Sequence, residues 1–167
     1  LKLLLLEEKT GVLIEKLKIG DIDAAFLALP FPKEEESLHC EFLFKEPFYI
    51  ALPKSHRLAK LKQLTRKDIK DEKLLLLDEG HCLRKQALDV CELTGAVEQQ
   101  DFRATSLETL REMVAANVGM TLVPELAVPK KDARIVYLPF CDHQYSRTIA
   151  LVWRKTSVRS ELLKKLV

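Results

Sequence analysis

Residues 100–124, "QDFRATSLETLREMVAANVGMTLVP", decide the fold class. The stretch "QDFRAT" predicts a short strand, and Thr105 with Glu108 three residues later forms a capping box that predicts the start of a helix. A second strand follows and ends at Pro124. A strand, a helix and a strand in this order are typical of an α/β fold. The apolar stripe of the predicted helix consists of Leu107, Leu110, Met113 and Val114.

The same alternation extends over the rest of the chain. Thr10 is a candidate cap for an early helix that Gly20 ends, and Ser157 begins an amphipathic terminal helix. We therefore predict an α/β fold with largely parallel sheets. We expect a long strand over 38–53 to be interrupted at Pro47. Other buried strands are predicted over 1–6, 23–29, 74–78, 134–140 and 147–153.

Charge and composition exclude several classes of protein. The 167 residues carry 27 basic and 25 acidic side chains, for a net charge of +2, which argues against a nucleic-acid-binding surface on this chain. A membrane span is not expected, because an apolar run of about 18 residues is missing. Residues 1–6 are too short for a signal peptide, so we expect a reducing cytoplasm. The lack of an initiator methionine leads us to expect a piece of a longer protein.

The stretch "DEGHCLRKQALDVC" at 78–91 carries two of the four cysteines. We predict a helix that starts near Cys82 and buries one apolar stripe. A sulfur at the first residue of a helix lies near free backbone N–H groups and the positive end of the helix dipole. His81 and Arg84 add positive character beside it. This environment favours a nucleophilic thiolate. The predicted buried stripe consists of Leu83, Ala87 and Val90.

Helix geometry separates Cys82 from Cys91. At a rise of about 1.5 Å per residue their Cα atoms lie about 13.5 Å apart. A disulfide needs Cα atoms within about 7 Å, so a helix through both residues excludes the bond. The pair therefore contains a two-state element whose equilibrium oxidation would shift.

The residues alone leave three roles open for these thiols. They are packed structural cysteines, a redox pair, or metal ligands. The dipeptides His39-Cys40 and His81-Cys82 favour metal, but adjacent residues on a strand point to opposite faces and C-x-x-C spacing is absent.

A resemblance narrows this choice. "GHCLRKQALDVC", followed by "DFRATSLETLREMVAANVGMTLVPELAVP" and "RIVYLPF…RTIALVW", resembles the regulatory domain of the hydrogen-peroxide sensors among the LysR-type transcription regulators, over nearly the whole chain. The resemblance implies a periplasmic-binding-protein-like fold with two α/β lobes and crossovers near Lys45 and Thr148. One lobe would hold 1–45 and 148–167, and the other 46–147. The second lobe would carry a redox switch segment, residues 80–93, that faces the interlobe cleft.

The resemblance also implies roles for individual side chains. Cys82 matches the peroxidatic cysteine, which peroxide oxidises to a sulfenic acid, and Cys91 matches the resolving cysteine, which closes the disulfide. Flanking and pocket residues are implied at His81, Arg84, Arg147 and Thr10. Cys40 and Cys141 have no counterpart in this scheme, and we interpret them as structural. Lys85 departs from the acidic residue that is usual there.

Partners follow from the same resemblance. It implies hydrogen peroxide as the signal, a thioredoxin- or glutaredoxin-type reductant, a homodimer and, in the full-length protein, a tetramer. Residues 108–117 are candidates for the contact between copies. Promoter DNA would bind only through an N-terminal winged helix-turn-helix, which we expect to be absent here with the first strand and helix of the regulatory domain. A cofactor, a metal or catalytic turnover is not implied.

Two other functional classes remain as alternatives. One is a LysR-type domain that binds a small organic effector in the interlobe cleft, with incidental cysteines. The other is a thiol peroxidase, for which rearrangement of a helix in each cycle predicts poor turnover.

Overall fold

The secondary structure alternates between strands and helices, as the sequence predicts. The computed structural model describes residues 3–30, 36–142 and 145–165. Short 3₁₀ turns lie at Arg57–Lys60 and Glu125–Ala127. The helices of the described residues are α1 (Thr10–Ile19), α2 (Cys82–Thr94), α3 (Leu107–Ala115) and α4 (Ser160–Lys164). The strands are β1 (Ala24–Leu29), β2 (Leu38–Pro53), β3 (Lys73–Leu77), β4 (Val97–Ala104), β5 (Met120–Pro124), β6 (Ile135–Pro139) and β7 (Ser146–Arg154).

The chain divides into two compact units. Unit 1 comprises Leu1–Lys45 and Thr148–Val167, and unit 2 comprises Glu46–Arg147. Strands β2 and β7 each run from one unit into the other.

Unit 2 contains a mixed sheet in the order β6-β2-β5-β3-β4. Strand β3 is parallel to β4 and β5, whereas β2 is antiparallel to β5 and β6. The prediction of largely parallel sheets is therefore wrong for two of the four strand pairs in this unit. Helices α2 and α3 supply the crossovers that parallel neighbours need, but β2 enters from unit 1 in the opposite direction.

The run Leu74–Leu77 forms the centre of unit 2, and the strand predicted there is confirmed. All four leucines are buried. Strand β3 lies between two parallel neighbours, and α2 and α3 both contact it. A strand in such a position is covered on both faces, which explains a continuous apolar run in place of an alternating one.

Unit 1 is built on the antiparallel pair of β1 and β7. Helix α1 packs Ile14 and Leu17 against side chains that include Leu27. Trp153 packs with Leu163 of α4 in a separate cluster. Gly20 ends α1 in the left-handed conformation (φ 88°), as the sequence predicts.

Two strand predictions are wrong. Leu3 to Leu6 are exposed and form no strand, because a strand needs a neighbour for its backbone groups and none of the described strands pairs with these residues. Strand β2 is not interrupted at Pro47. Its pairing with β5 and β6 begins at Phe48 and Tyr49, so the missing N–H of Pro47 leaves those ladders intact.

The helix caps lie one residue away from their predicted places. Lys9 occupies the N-cap of α1 and Thr10 is the first helical residue. Ser106, not Thr105, caps α3, since the Ser106 hydroxyl accepts a hydrogen bond from the Thr109 N–H at 3.1 Å. The predicted partner Glu108 instead pairs with the next turn of α3, where it accepts a hydrogen bond from Arg111 at 2.9 Å.

Candidate functional site

The N-terminus of α2 places Cys82 at the end of the central strand. Strand β3 ends at Leu77, Gly80 turns the chain with a φ of 87°, and Cys82 is the first residue of α2. His81 occupies the N-cap with an extended backbone, and its side chain makes no capping hydrogen bond. The half-buried Cys82 sulfur is therefore attached where free backbone N–H groups and the helix dipole favour negative charge.

Both thiols are free and lie on one unbroken helix. Because α2 runs from Cys82 to Thr94, the geometry of a helix separates the two cysteine Cα atoms by about 13.5 Å. The structure therefore represents the reduced arrangement, in which Cys82 and Cys91 cannot bond without unwinding α2.

Cys91 belongs to the buried face of α2. It is 7% exposed and packs in the same core as the predicted stripe of Leu83, Ala87 and Val90, which is confirmed. Burial, and to a smaller extent the negative charge of Glu98, raise the pKa of the Cys91 thiol to about 11. In folded α2 this thiol is covered, and its raised pKa favours the protonated form, which is a poor nucleophile.

The high pKa of Cys91 predicts a loss of stability in alkali. The folded pKa lies above the ordinary value of 9.0, so the neutral thiol stabilises the fold below pH 9, and this contribution is lost as the pH rises through about 11. Between these values we expect the free energy of unfolding of the parent to fall by about 2 kcal/mol more than that of Cys91→Ser. Urea unfolding across this pH range measures the difference. Parallel curves for the two proteins would contradict the environment described for Cys91.

Arg84 forms a partly buried ion pair with β4. Its guanidinium donates to both carboxylate oxygens of Glu98, at 2.8 and 3.2 Å, and to the main-chain carbonyl of Leu77 at 3.1 Å. Arg103 lies 3.9 Å from the same carboxylate. The charge of Arg84 is therefore balanced by Glu98, and its effect on Cys82 stays a prediction.

Gln86 is a candidate site residue that the sequence reasoning missed. It follows Cys82 by four residues, so the two lie on the same face of α2. Its side-chain oxygen is buried and has no hydrogen-bond partner among the described residues. An unsatisfied buried acceptor is rare in folded proteins. The i, i+4 spacing from Cys82 was the signal available in the sequence.

Arg147 pairs with a buried carboxylate. Its Nε donates to Glu46 Oε2 at 2.7 Å, and the other oxygen of Glu46 accepts from the Leu126 N–H at 2.9 Å. Glu46 is only 1% exposed. Sequence reasoning missed Glu46, and a role for Arg147 beside Cys82 stays a prediction.

The remaining predicted residues lie on separate elements. Thr10 begins α1 in unit 1, so its contribution to a pocket at Cys82 stays a prediction. Lys85 is exposed on α2. Cys40 and Cys141 are exposed, which contradicts their interpretation as packed structural cysteines, because their positions on β2 and after β6 leave them outside the cores.

A metal site finds no support in the described parts of the chain, where His, Cys, Asp and Glu form no cluster of three. None of the helices described combines the length and apolar character that crossing a bilayer requires. Two cavities of about 130 and 280 Å³ lie in unit 2, and neither is lined by α2.

Comparison with known proteins gives a consistent match. The family model described as the LysR substrate binding domain matches residues 1–167. The hydrogen peroxide-inducible genes activator of Dickeya chrysanthemi is 45% identical over 159 residues, which are 94% of this chain and 52% of that protein. The chain thus spans about half the length of that relative.

Two similar crystal structures represent one protein in two redox states. The crystal structure of the reduced form of OxyR is 42% identical and has a TM-score of 0.83. The match covers 95% of this chain and 74% of the OxyR chain. The oxidized form of OxyR matches with a TM-score of 0.81 and 44% identity, and covers 95% and 75%.

Proposed function

Because this chain belongs to the LysR substrate-binding domain family, and within it to the OxyR regulatory domains, we propose that it senses hydrogen peroxide through Cys82 and Cys91. Oxidation would convert α2 from the folded state into an unwound, disulfide-linked state. A longer protein that contains this domain would transmit the change to the transcription of oxidative-stress genes.

The chemistry takes place in two balanced steps. The Cys82 thiolate attacks one oxygen of hydrogen peroxide, the O–O bond breaks, and a sulfenic acid forms while the departing hydroxide takes up a proton to become water. The Cys91 thiol then attacks the sulfenic sulfur, a disulfide forms, and a second water leaves. Peroxide is reduced by two electrons, and the two thiols supply them.

The observation that carries this proposal is the contrast between two thiols on one helix. Cys82 is half-buried at the N-terminus of α2, whereas Cys91 is buried nine residues later. The first position suits a thiol that must meet a small oxidant from solvent. The second suits a thiol that must stay unreactive until the helix opens. The reduced and oxidized crystal structures of OxyR support a domain with two redox states.

Neighbouring side chains would serve the first step. The unpartnered oxygen of Gln86 would accept a hydrogen bond from peroxide held beside Cys82. His81 and Arg84 would tune the sulfur, and Arg147 would lie near it, as the resemblance implies. The hydroxyl of Thr10 would donate to the peroxide oxygen or relay its proton.

Partners are also proposals, because the chain spans about half of its relative. A second copy would pair with this domain and full-length chains would form a tetramer, while promoter DNA would contact an N-terminal helix-turn-helix domain. A thioredoxin- or glutaredoxin-type protein in the cytoplasm would reduce the disulfide. The need to refold α2 after each cycle fits a sensor better than a peroxidase with rapid turnover.

Peptide mapping tests the proposal directly. After one equivalent of hydrogen peroxide, we expect proteolysis to release one disulfide-linked peptide pair that joins Cys82 to Cys91. Amide exchange in 82–94 should accelerate at the same time, because the bond excludes the helix. If both thiols stayed reduced and the amides of α2 stayed protected from exchange after peroxide treatment, the proposed sensing function would be rejected. Metabolite binding by calorimetry, retained in Cys82→Ser, would support the effector-binding alternative instead.

A further inference from the structure

An ion pair at Glu98 adds to the apolar contacts that hold α2 against the sheet of unit 2. Both oxygens of the Glu98 carboxylate accept hydrogen bonds from Arg84, in the first turn of α2. Arg84 also reaches the Leu77 carbonyl, at the end of β3. The side chains of Arg84 and Glu98 are 13% and 16% exposed, so water screens this pair little. One ion pair therefore connects the helix with both β3 and β4.

An irregularity in β4 sets the position of Glu98. Leu74 of β3 pairs with Glu98, but Leu76 pairs with Arg103, so four residues of β4 lie opposite one residue of β3. Glu98 and Arg103 stand at the two ends of this bulge, and the Arg103 Nε lies 3.9 Å from the Glu98 carboxylate. A bulge of this kind redirects side chains at the edge of a sheet. Here the two ends of the bulge bring Arg103 near the carboxylate that Arg84 of α2 also contacts.

The two cysteines lie on either side of Arg84 along α2. Unwinding the helix between Cys82 and Cys91 moves the backbone of Arg84 relative to β4, so closing the disulfide works against the Arg84–Glu98 pair, which holds the first turn in place. We propose, on the basis of the peroxide-sensing function above, that Glu98 is a positioning residue that keeps α2 folded and delays the resolving step at Cys91 until this pair opens.

The charge of Glu98 supports the same order of events. It raises the pKa of the Cys91 thiol, in addition to the larger effect of burial. Glu98 thus restrains the resolving cysteine mechanically, through Arg84, and electrostatically, through its negative charge. After oxidation of Cys82, the same carboxylate delays the disulfide until the helix has opened.

The first test uses the reduced protein and no peroxide. In a Cys82→Ser background, we compare the alkylation rate of Cys91 by iodoacetamide from pH 7 to 11 in parent, Glu98→Gln and Glu92→Gln proteins. Glu92→Gln is the control, because it removes the same charge next to Cys91 in the sequence but from an exposed side chain. We expect Glu98→Gln to raise the rate severalfold at pH 8 and to move the profile to lower pH, because the charge of Glu98 is the smaller of the two effects that raise the pKa of the Cys91 thiol. Glu92→Gln should follow the parent.

A second variant separates the two effects and guards against misfolding. Arg84→Gln releases the helix but leaves the negative charge, so it should raise the alkylation rate without shifting the pH profile downward. An unchanged rate and profile in Glu98→Gln, with urea unfolding equal to that of Glu92→Gln, would overturn the role of Glu98. If Glu98→Gln unfolds, Arg84→Gln decides the mechanical part and Glu98→Asp, which keeps the charge, should retain the parent pH profile.

The second test follows the disulfide itself. After peroxide treatment of the protein with both thiols, Glu98→Gln should convert the Cys82 sulfenic acid into the disulfide about tenfold faster than Glu92→Gln does, as dimedone trapping measures. Equal rates would overturn the proposal while leaving the sensor intact. If the parent forms no disulfide, the sensing function fails, and the alkylation profile still decides whether Glu98 restrains Cys91.

Discussion

Cys82→Ser is expected to abolish the response to hydrogen peroxide. The hydroxyl of serine keeps the size of the side chain but does not ionise or attack peroxide under these conditions, so neither the sulfenic acid nor the Cys82–Cys91 bond can form. Cys91 does not substitute for it, because burial and Glu98 raise its thiol pKa to about 11. Intact-mass and peptide mapping after one equivalent of peroxide should show unmodified Cys91 and no linked peptides.

Serine substitutions at the other three cysteines show which thiols take part in the response to peroxide. Cys40→Ser and Cys141→Ser remove exposed thiols on other parts of the chain and should leave the disulfide yield at the parent level. Cys91→Ser should stop the reaction at a Cys82 sulfenic acid that dimedone traps. A disulfide between Cys91 and one of the exposed cysteines in Cys82→Ser, formed at the parent rate, would refute the assignment of Cys82 as the first thiol to react.

Glu46→Ala is expected to cause the largest loss of stability among the charge substitutions considered. The change removes a buried acceptor and leaves the Leu126 N–H and the Arg147 guanidinium, which is 20% exposed, without the carboxylate they share. Removing one partner of a buried ion pair costs about 3 kcal/mol or more. Glu46→Gln keeps an oxygen for the Leu126 N–H and should lose less. Urea unfolding followed by far-UV circular dichroism measures the free energy of unfolding of the parent, Glu46→Ala and Glu46→Gln.

The exposed pair of Glu112 and Arg134 provides the control. These side chains approach to 2.6 Å, which is shorter than the contact of Glu46 with Arg147, but both are more than half exposed. Solvent screening limits such a pair to about 1 kcal/mol or less, so Glu112→Ala should change stability little. Equal losses from Glu46→Ala and Glu112→Ala would show that burial does not strengthen the Glu46 contact.

The fold was predictable wherever the pattern was local. The apolar run of β3, the turn at Gly80 and the buried stripe of α2 all follow from periodicity and turn chemistry, and the structure confirms them. The exposed Leu3–Leu6 run could not be assigned this way, because burial of a strand depends on a neighbour that a local pattern does not reveal. The cap of α3 was missed by one residue for a similar reason. Ser106 and Thr105 both carry a hydroxyl, and only the backbone conformation decides which one caps.

The candidate site was predictable in its thiols but not in its carboxylates. The spacing of Cys82 and Cys91, together with the helix start, is enough to predict two thiols that cannot bond in the folded state. Glu46 and Glu98 escaped notice because their roles depend on long-range contacts, with Arg147 and with Arg84. Most acidic residues lie in solvent, so the sequence alone gives no reason to single these two out.

The location of both thiols on α2 has a consequence for how a cell could calibrate its response. In the proposed function the closing bond would form within one chain, so the rate of that step would not depend on how many copies of the protein are present. Where peroxide is in excess over the protein, the fraction of molecules converted would follow the peroxide concentration rather than the number of copies. The response would then keep the same scale when expression rises or falls.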